Sequence, residues 1–274
     1  SGKTDKFSFS HLKWQNSIAE KGKFSHFMLK EIYDQPKVIH AIISDGKSQI
    51  KDIAKQILNS YGTYLVGCGT ASYACLAGTY LFSKIAKRHV NFAVGSEFGY
   101  LADFLTNKSL VLALSQSGET LDVIEAVKKA KEKGAQIGSI VNVLGSTLYR
   151  MSDIKLLLEA GTEKAVVSTK AFTAKLAYLI LLAYEVNGNL AGGQSSLEES
   201  IPVLNEILDS EYIGNIKKLV NQLIQKEHFY VIGRGLSYPI ALETALKIKE
   251  ASYIHAEGFA AGELKHGVIA LIEK

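Results

Sequence analysis

The sequence predicts an α/β fold: a doubly wound, mainly parallel sheet in three layers, built as a tandem repeat whose second copy is truncated. Three observations predict it. Short apolar runs bounded by Gly, Ser or Asn alternate with longer stretches of helical periodicity. A Gly-x-Gly turn follows such a run twice, at Gly67-Cys68-Gly69 and at Gly233-Arg234-Gly235, each with Ser-Tyr close behind. Further on, Ser96-Glu97-Phe98 is echoed by Ala256-Glu257-Gly258-Phe259, so a whole domain recurs at an offset of about 160 to 166 residues.

Taken in order, residues 1–25 are polar and weakly patterned, and Ser1-Gly2 without an initiating Met reads as a trimmed start. A short helix is expected from His26 to Gln35, stopped by Pro36, and an amphipathic helix from Ile50 to Leu58. Tyr64-Leu65-Val66 reads as a strand, and Ser72 to Ala86 as a helix. Further strands are expected at Val90 to Val94, Leu110 to Leu114, Ser139 to Val143 and Ile154 to Leu158. Thr169 to Val186 is a long apolar helix, and Gly188 to Ser196 has the composition of a linker. This divides the chain into an N-terminal extension and helix (1–45), a first domain (46–195) and a second, incomplete one (196–274). The second copy ends before any counterpart of the first copy's hydroxyl-rich turn, which predicts a truncated or cleaved chain.

Composition narrows the classes. In 274 residues, 47% are hydrophobic and 21% charged, the balance of a soluble globular protein with a sizeable core. A net charge of +4, with both signs mixed throughout, argues against a nucleic-acid or membrane-surface partner. The most apolar stretch, Ala171 to Tyr184, contains Lys175 and is shorter than the ~20 residues of a membrane span, so it reads as a buried helix. Two cysteines, Cys68 and Cys75, supply neither a disulfide framework nor a four-thiolate metal site. A cytoplasmic enzyme or binding protein is expected, with no metal and no cofactor.

The most informative stretch is Ser115-Gln116-Ser117-Gly118-Glu119-Thr120, between the apolar run Leu110–Leu114 and an amphipathic helix marked by Leu121, Ile124, Val127 and Ala130. A helix start offers free backbone N–H groups and the positive end of the helix dipole, which favour a phosphate or another anion. Hydroxyls and an amide add donors, and Gly118 permits close approach. Ordinary helix capping accounts for one such hydroxyl but not for three beside Gln and Gly. The Gly-x-Gly turns lack the third glycine and the acidic residue of a dinucleotide site. In Glu243-Thr244-Ala245-Leu246-Lys247-Ile248-Lys249-Glu250, Lys247 and Glu250 share a helix face, suited either to proton transfer or to a plain surface charge pair. His266 is of the residue type best suited to acid–base chemistry near neutral pH, although a lone histidine is commonly structural.

In combination these segments resemble the sugar isomerase (SIS) fold in tandem, and more narrowly the isomerase half of the glutamine–fructose-6-phosphate aminotransferase, or glucosamine-6-phosphate synthase, family. The matching segments are Glu31 to Pro36, Cys68-Gly69-Thr70, Ser96-Glu97-Phe98, Ser115 to Thr120, Gly161-Thr162-Glu163, Ser168 to Thr173, Tyr238 to Glu257, and Gly262 to Gly267. The resemblance implies that Ser115, Gln116, Ser117 and Thr120 hold a sugar phosphate, and that Cys68, Gly69, Thr70, Val166 and Ser168 line the sugar. It implies that Glu250 moves a proton between C1 and C2, that Lys247 tunes or relays it, and that His266 assists ring opening in the neighbouring subunit. The implied partners are a hexose-6-phosphate substrate, a second copy in a homodimer with shared active sites, and a glutaminase domain in the full-length enzyme. The sequence departs from the family at Ala71, where Ser is usual and Ser72 is the available substitute, at Ala165 for Gly and at Val268 for Pro. With the family's glutaminase and C-terminal lysine absent, this polypeptide alone is expected to isomerise poorly. The rival readings are a noncatalytic sugar-phosphate-binding module and a related sugar-phosphate isomerase or deglycase.

Overall fold

The computed structural model describes residues 20–45 and 48–272; what the sequence suggests for residues 1–19 lies outside them. Five strands, β1 (Gly62–Gly67), β2 (Asn91–Val94), β3 (Ser109–Ser115), β4 (Gln136–Val141) and β5 (Ile154–Leu157), form one parallel sheet in the order β2-β1-β3-β4-β5. All seven residues of β3 are buried, which explains its unbroken apolar run. Strand periodicity splits those residues between two cores. Leu110, Leu112 and Leu114 join Leu65, Ile140 and Leu156 on one face; Val111 and Ala113 join Val66, Ile137 and Val141 on the other.

Both faces therefore need cover. The first is packed by α2 (Gln35–Asp45), α3 (Ser48–Asn59), α4 (Thr70–Leu81), α8 (Lys170–Val186) and α9 (Leu190–Ile207), the second by α5 (Gly95–Phe98), α6 (Leu121–Glu132) and α7 (Thr147–Met151). A short α1 (Phe27–Tyr33) precedes them. Three layers result. After α10 (Ser210–Leu223), the elements β6 (His228–Gly233), α11 (Ser237–Ser252) and β7 (His255–Ala260) form a two-stranded parallel unit. It repeats the β1-α4-β2 arrangement, and α11 packs on α4. No helix among the described residues is long and apolar enough to cross a membrane.

Four sequence expectations need correction. Pro36 does not end a helix; it sits in the first turn of α2, where its missing N–H is no loss. The supposed linker Gly188 to Ser196 is helical from Leu190, because the Asn189 side chain accepts from the Gly192 N–H and starts α9. Gly193 then lies so close to Tyr184 of α8 that a Cβ there would stand 2.9 Å from the Tyr184 Cβ. Strand β4 begins earlier and ends at Val141, since Asn142 turns out to bind the Ala160 N–H and the Gly161 carbonyl. The helix after β1 starts at Thr70, ahead of Ser72, and passes into a π-helical turn over Phe82–Ala86.

Candidate active site

From β1 the chain moves outward to β2, and then returns to the other side of β1 as β3. The carboxyl ends of β1 and β3 thus flank the point where strand order reverses, the usual ligand crevice of an open α/β sheet. A cavity of about 160 Å³ opens there, lined by Cys68, Thr70, Ala71, Leu114, Ser115, Gln116, Ser117, Thr120, Ser168 and Lys175. A larger groove of about 580 Å³ beside Thr79, Ser83 and Arg88 contains none of the residues picked out from the sequence.

The turn after β3 is tightly wound. Ser115 is buried, its Oγ accepts from the Gly118 N–H at 3.0 Å, and it lies 2.9 Å from the Thr120 hydroxyl. Ser117 Oγ accepts from the Glu119 N–H at 3.1 Å. Thr120 occupies the N-cap of α6, yet no side chain caps that helix. The plain capping explanation is therefore not what the structure shows: the hydroxyls brace the bend and the first turn of α6 is left uncapped. Such an end favours an anion. Glu119, the one acid in the motif, is turned outward, where its carboxylate accepts from the Thr147 N–H at 2.8 Å. The Thr147 side chain, and with it this N–H bond, holds its carboxyl below the usual range and keeps it anchored to α7.

The second repeat reaches this site through α11. The Lys247 ammonium stands 2.5 Å from Glu250 Oε2, 2.9 Å from Thr70 Oγ1 and 3.3 Å from Glu243 Oε1, three acceptors for three N–H bonds. Thr70 in turn donates to Glu243 at 3.1 Å. A solvated surface ladder is thereby ruled out for Glu243, which is buried. Burial pushes its carboxyl up, and Lys247 opposes that. Glu250 itself does not line the cavity; Lys247 links it to the cavity wall at Thr70.

Of the other residues expected at the site, Cys68 is in the wall of this cavity and Gly69, Ser72, Val166 and His266 are not. Gly69 forms the exposed turn before α4, with φ of +53°. Ser72 is buried and its hydroxyl donates to the Gly69 carbonyl at 2.7 Å, so it braces the turn instead of facing the cavity. Val166 is 97% exposed. His266 is exposed beyond β7 and does not reach this cavity. Cys68 lines the cavity as a neutral thiol, its pKa raised by burial.

Ser168 is positioned by two carboxylates. Glu163 accepts from Ser168 Oγ at 3.0 Å, from the Thr169 N–H at 2.8 Å and from the Ala171 N–H at 3.3 Å, capping α8. Glu31 is buried and accepts from the Lys164 and Ala165 N–H groups at 2.6 and 3.3 Å. Asp34 meets the buried Lys170 ammonium at 3.4 Å, and Gln35 accepts from Thr173. The Glu31 to Pro36 segment is thus a clasp on the loop that carries Ser168. Truncation in E31A strands two backbone N–H groups and is expected to cost about 2–4 kcal/mol, with faster proteolysis between residues 161 and 168. Urea midpoints and limited proteolysis measure both effects.

Two buried ionic groups escaped the sequence reading as site residues: Glu243 and Lys175. Lys175 was visible as the lone charge inside the apolar stretch Ala171 to Tyr184, but helical phase alone did not say where its ammonium ends. It is 1% exposed, it lines the cavity, and burial lowers its pKa to about 8.

Comparison with known proteins gives concordant results. Residues 56–184 and 222–274 match the family model described as the SIS domain. Over 266 residues the chain is 44% identical to the glutamine–fructose-6-phosphate aminotransferase (isomerizing) of Pyrococcus horikoshii; the match takes in 96% of this chain and 44% of that one. The chain therefore spans less than half the length of this curated relative. The structure resembles the C-terminal domain of glucosamine-fructose-6-phosphate aminotransferase from Francisella tularensis, with a TM-score of 0.85 and 35% identity over 93% of this chain and 76% of that one. It also resembles a glucosamine-6-phosphate deaminase from Thermotoga maritima, with a TM-score of 0.71 and 25% identity over 91% of this chain and 74% of that one.

Proposed function

This chain belongs to the SIS domain family, as a counterpart of the aminotransferase C-terminal domain, and from that premise we propose that it is the isomerase half of a glucosamine-6-phosphate synthase. On this reading the cavity binds fructose 6-phosphate, and in the intact enzyme the imine formed with glutamine-derived ammonia is isomerised to glucosamine 6-phosphate. Residues 46–195 form the first SIS domain and 196–274 part of a second. One observation carries the proposal: Lys247 and Glu250 of the second repeat are tied to Thr70, on the wall of the hydroxyl-lined cavity of the first.

The roles follow from the chemistry available. The Ser115–Thr120 turn and the start of α6 hold the phosphate, which orients the sugar. Cys68, Thr70 and Ser168 line the path of the carbon chain. Aldose–ketose exchange moves one proton between adjacent carbons, so a single carboxylate can serve both. Glu250 takes that role once the ligand draws it inward, with the Lys247 ammonium beside it as its hydrogen-bond partner and link to Thr70. His266, exposed and outside the wall of its own chain's cavity, is assigned to the site of a second subunit in a homodimer, and the setting is cytoplasmic.

The test is Glu250→Gln. The variant is expected to bind fructose 6-phosphate within a few-fold of wild type in calorimetry, while exchange of the sugar's C1 and C2 protons with solvent, followed by NMR, slows by about 10²-fold or more. A noncatalytic binding module would show no such exchange in the wild-type protein. Absence of wild-type fructose 6-phosphate binding would remove the proposal altogether.

A further inference from the structure

Lys175 presents a buried cation to a cavity whose other polar lining is neutral. Its neighbours in that wall are hydroxyls, an amide and a thiol: Ser115, Gln116, Ser117, Thr120, Ser168 and Cys68. The lysine arises from α8, is 1% exposed, and among the described residues its ammonium forms no hydrogen bond or ion pair. An ammonium with three N–H donors on an apolar helix needs polar surroundings, since unpaired burial of a charge is strongly unfavourable. The cavity that it lines offers such surroundings.

The charged and titratable groups facing it come from three elements. Glu163 approaches from the loop before α8, Cys75 from α4, and Glu243 and Lys247 from α11. Cys75 is neutral, its thiol pushed far up by burial. Glu163 is engaged in capping α8, and Glu243 in holding Thr70 and Lys247. Neither carboxylate forms a hydrogen bond or ion pair with Lys175, although both act on it through space and Glu243 Oε2 is buried without a hydrogen-bond partner. The arrangement is that of a counter-ion site awaiting its anion.

We infer that Lys175 is the charge-selecting residue of this cavity: it pairs with the phosphate dianion of the ligand, and thereby separates phosphorylated sugars from neutral ones. The inference rests on the sugar-phosphate reading above for the identity of the ligand, though not for its charge. The hydroxyl turn supplies shape and neutral donors, which a neutral polyol can also use. Lys175 supplies the net positive charge that a polyol cannot exploit.

The experiment compares wild type, Lys175→Met and Lys175→Gln by titration calorimetry with fructose 6-phosphate, inorganic phosphate and fructose. Loss of a charge-assisted contact is expected to weaken fructose 6-phosphate and inorganic phosphate by about 10- to 100-fold in both variants and to leave fructose unchanged. Wild-type affinity for the phosphates is expected to decline as pH rises above about 8, where the free ammonium deprotonates, and both variants are expected to lack that decline. The phosphate, with its second pKa near ~6, stays a dianion throughout that range. Unchanged phosphate affinity in the variants overturns the inference and leaves the sugar-phosphate reading intact. Lysine-dependent binding of inorganic phosphate without fructose 6-phosphate binding overturns that reading and upholds the inference. If wild type binds neither anion, both fall. Should Lys175→Met fail to fold, Lys175→Gln and the wild-type pH profile distinguish the same outcomes.

Discussion

Gly118→Ala is expected to abolish fructose 6-phosphate binding and to lower stability by about 2–4 kcal/mol. The backbone at Gly118 has φ of +68°, a left-handed conformation that costs other residues about 1 kcal/mol. Space is the larger obstacle. A Cβ built there stands 2.1 Å from Ser146 Oγ and 2.6 Å from Ser146 Cβ. Ser146 is 3% exposed and lies at the N-terminus of α7, so it has no open side to turn towards. The turn must move instead, and the Gly118 N–H to Ser115 Oγ and Leu148 N–H to Gly118 carbonyl bonds move with it. A shift of about 1 Å is enough to spoil the positioning of a bound group. Ser146→Gly removes the obstructing atoms, so the double variant is expected to recover about 1–2 kcal/mol of the loss, a coupling readable from urea midpoints. Binding by Gly118→Ala at wild-type affinity would show that the anion sits elsewhere.

The parts of this site that are contiguous in the chain were legible from it. Leu110 to Leu114 and the six residues after it carry strand, turn and helix start in one reading frame, and every one of those signals is local. The same holds for the two repeated Gly-x-Gly turns. What could not be read are contacts made across the fold. Thr70 meets Glu243 across 173 positions and Lys247 across 177. Glu31 holds a loop 133 positions away. Spacing along α11 gave Lys247 and Glu250 a common face but not the burial that separates a site from a surface pair. The misread linker failed for a related reason: Gly192 and Gly193 have linker composition, but a cap at Asn189 and a close fit to Tyr184 make them helical. Local composition was overruled by packing.

Lys175→Met is expected to raise stability at pH 7 by about 3 kcal/mol. Folding lowers the ammonium's pKa from 10.5 to about 8, chiefly because burial strips its water, with Glu163 offsetting only part of that loss. Between those two values the unfolded chain binds a proton that the folded chain does not, so wild-type stability rises with pH from about 8 to 10.5. Below about 8 both states carry the proton and the full cost is present; above 10.5 neither does and the cost is gone. The variant's advantage should therefore be greatest at and below pH 7 and should close as pH approaches 10.5. Tyr178 and Cys75 are also buried groups whose titration is displaced upward; both remain in the variant, and removing Lys175 raises the Cys75 thiol further, so it stays neutral in the fold of both proteins across this range and the difference between the two stability curves reports Lys175. Chemical unfolding at pH 7, 8.5 and 10 measures it, and a variant less stable than wild type at pH 7 would mean that the ammonium already has a partner. A charge that weakens the empty fold yet persists in an apolar helix has its physical justification in the bound state. Saturating phosphate should accordingly stabilise wild type more than the variant and narrow the gap between them.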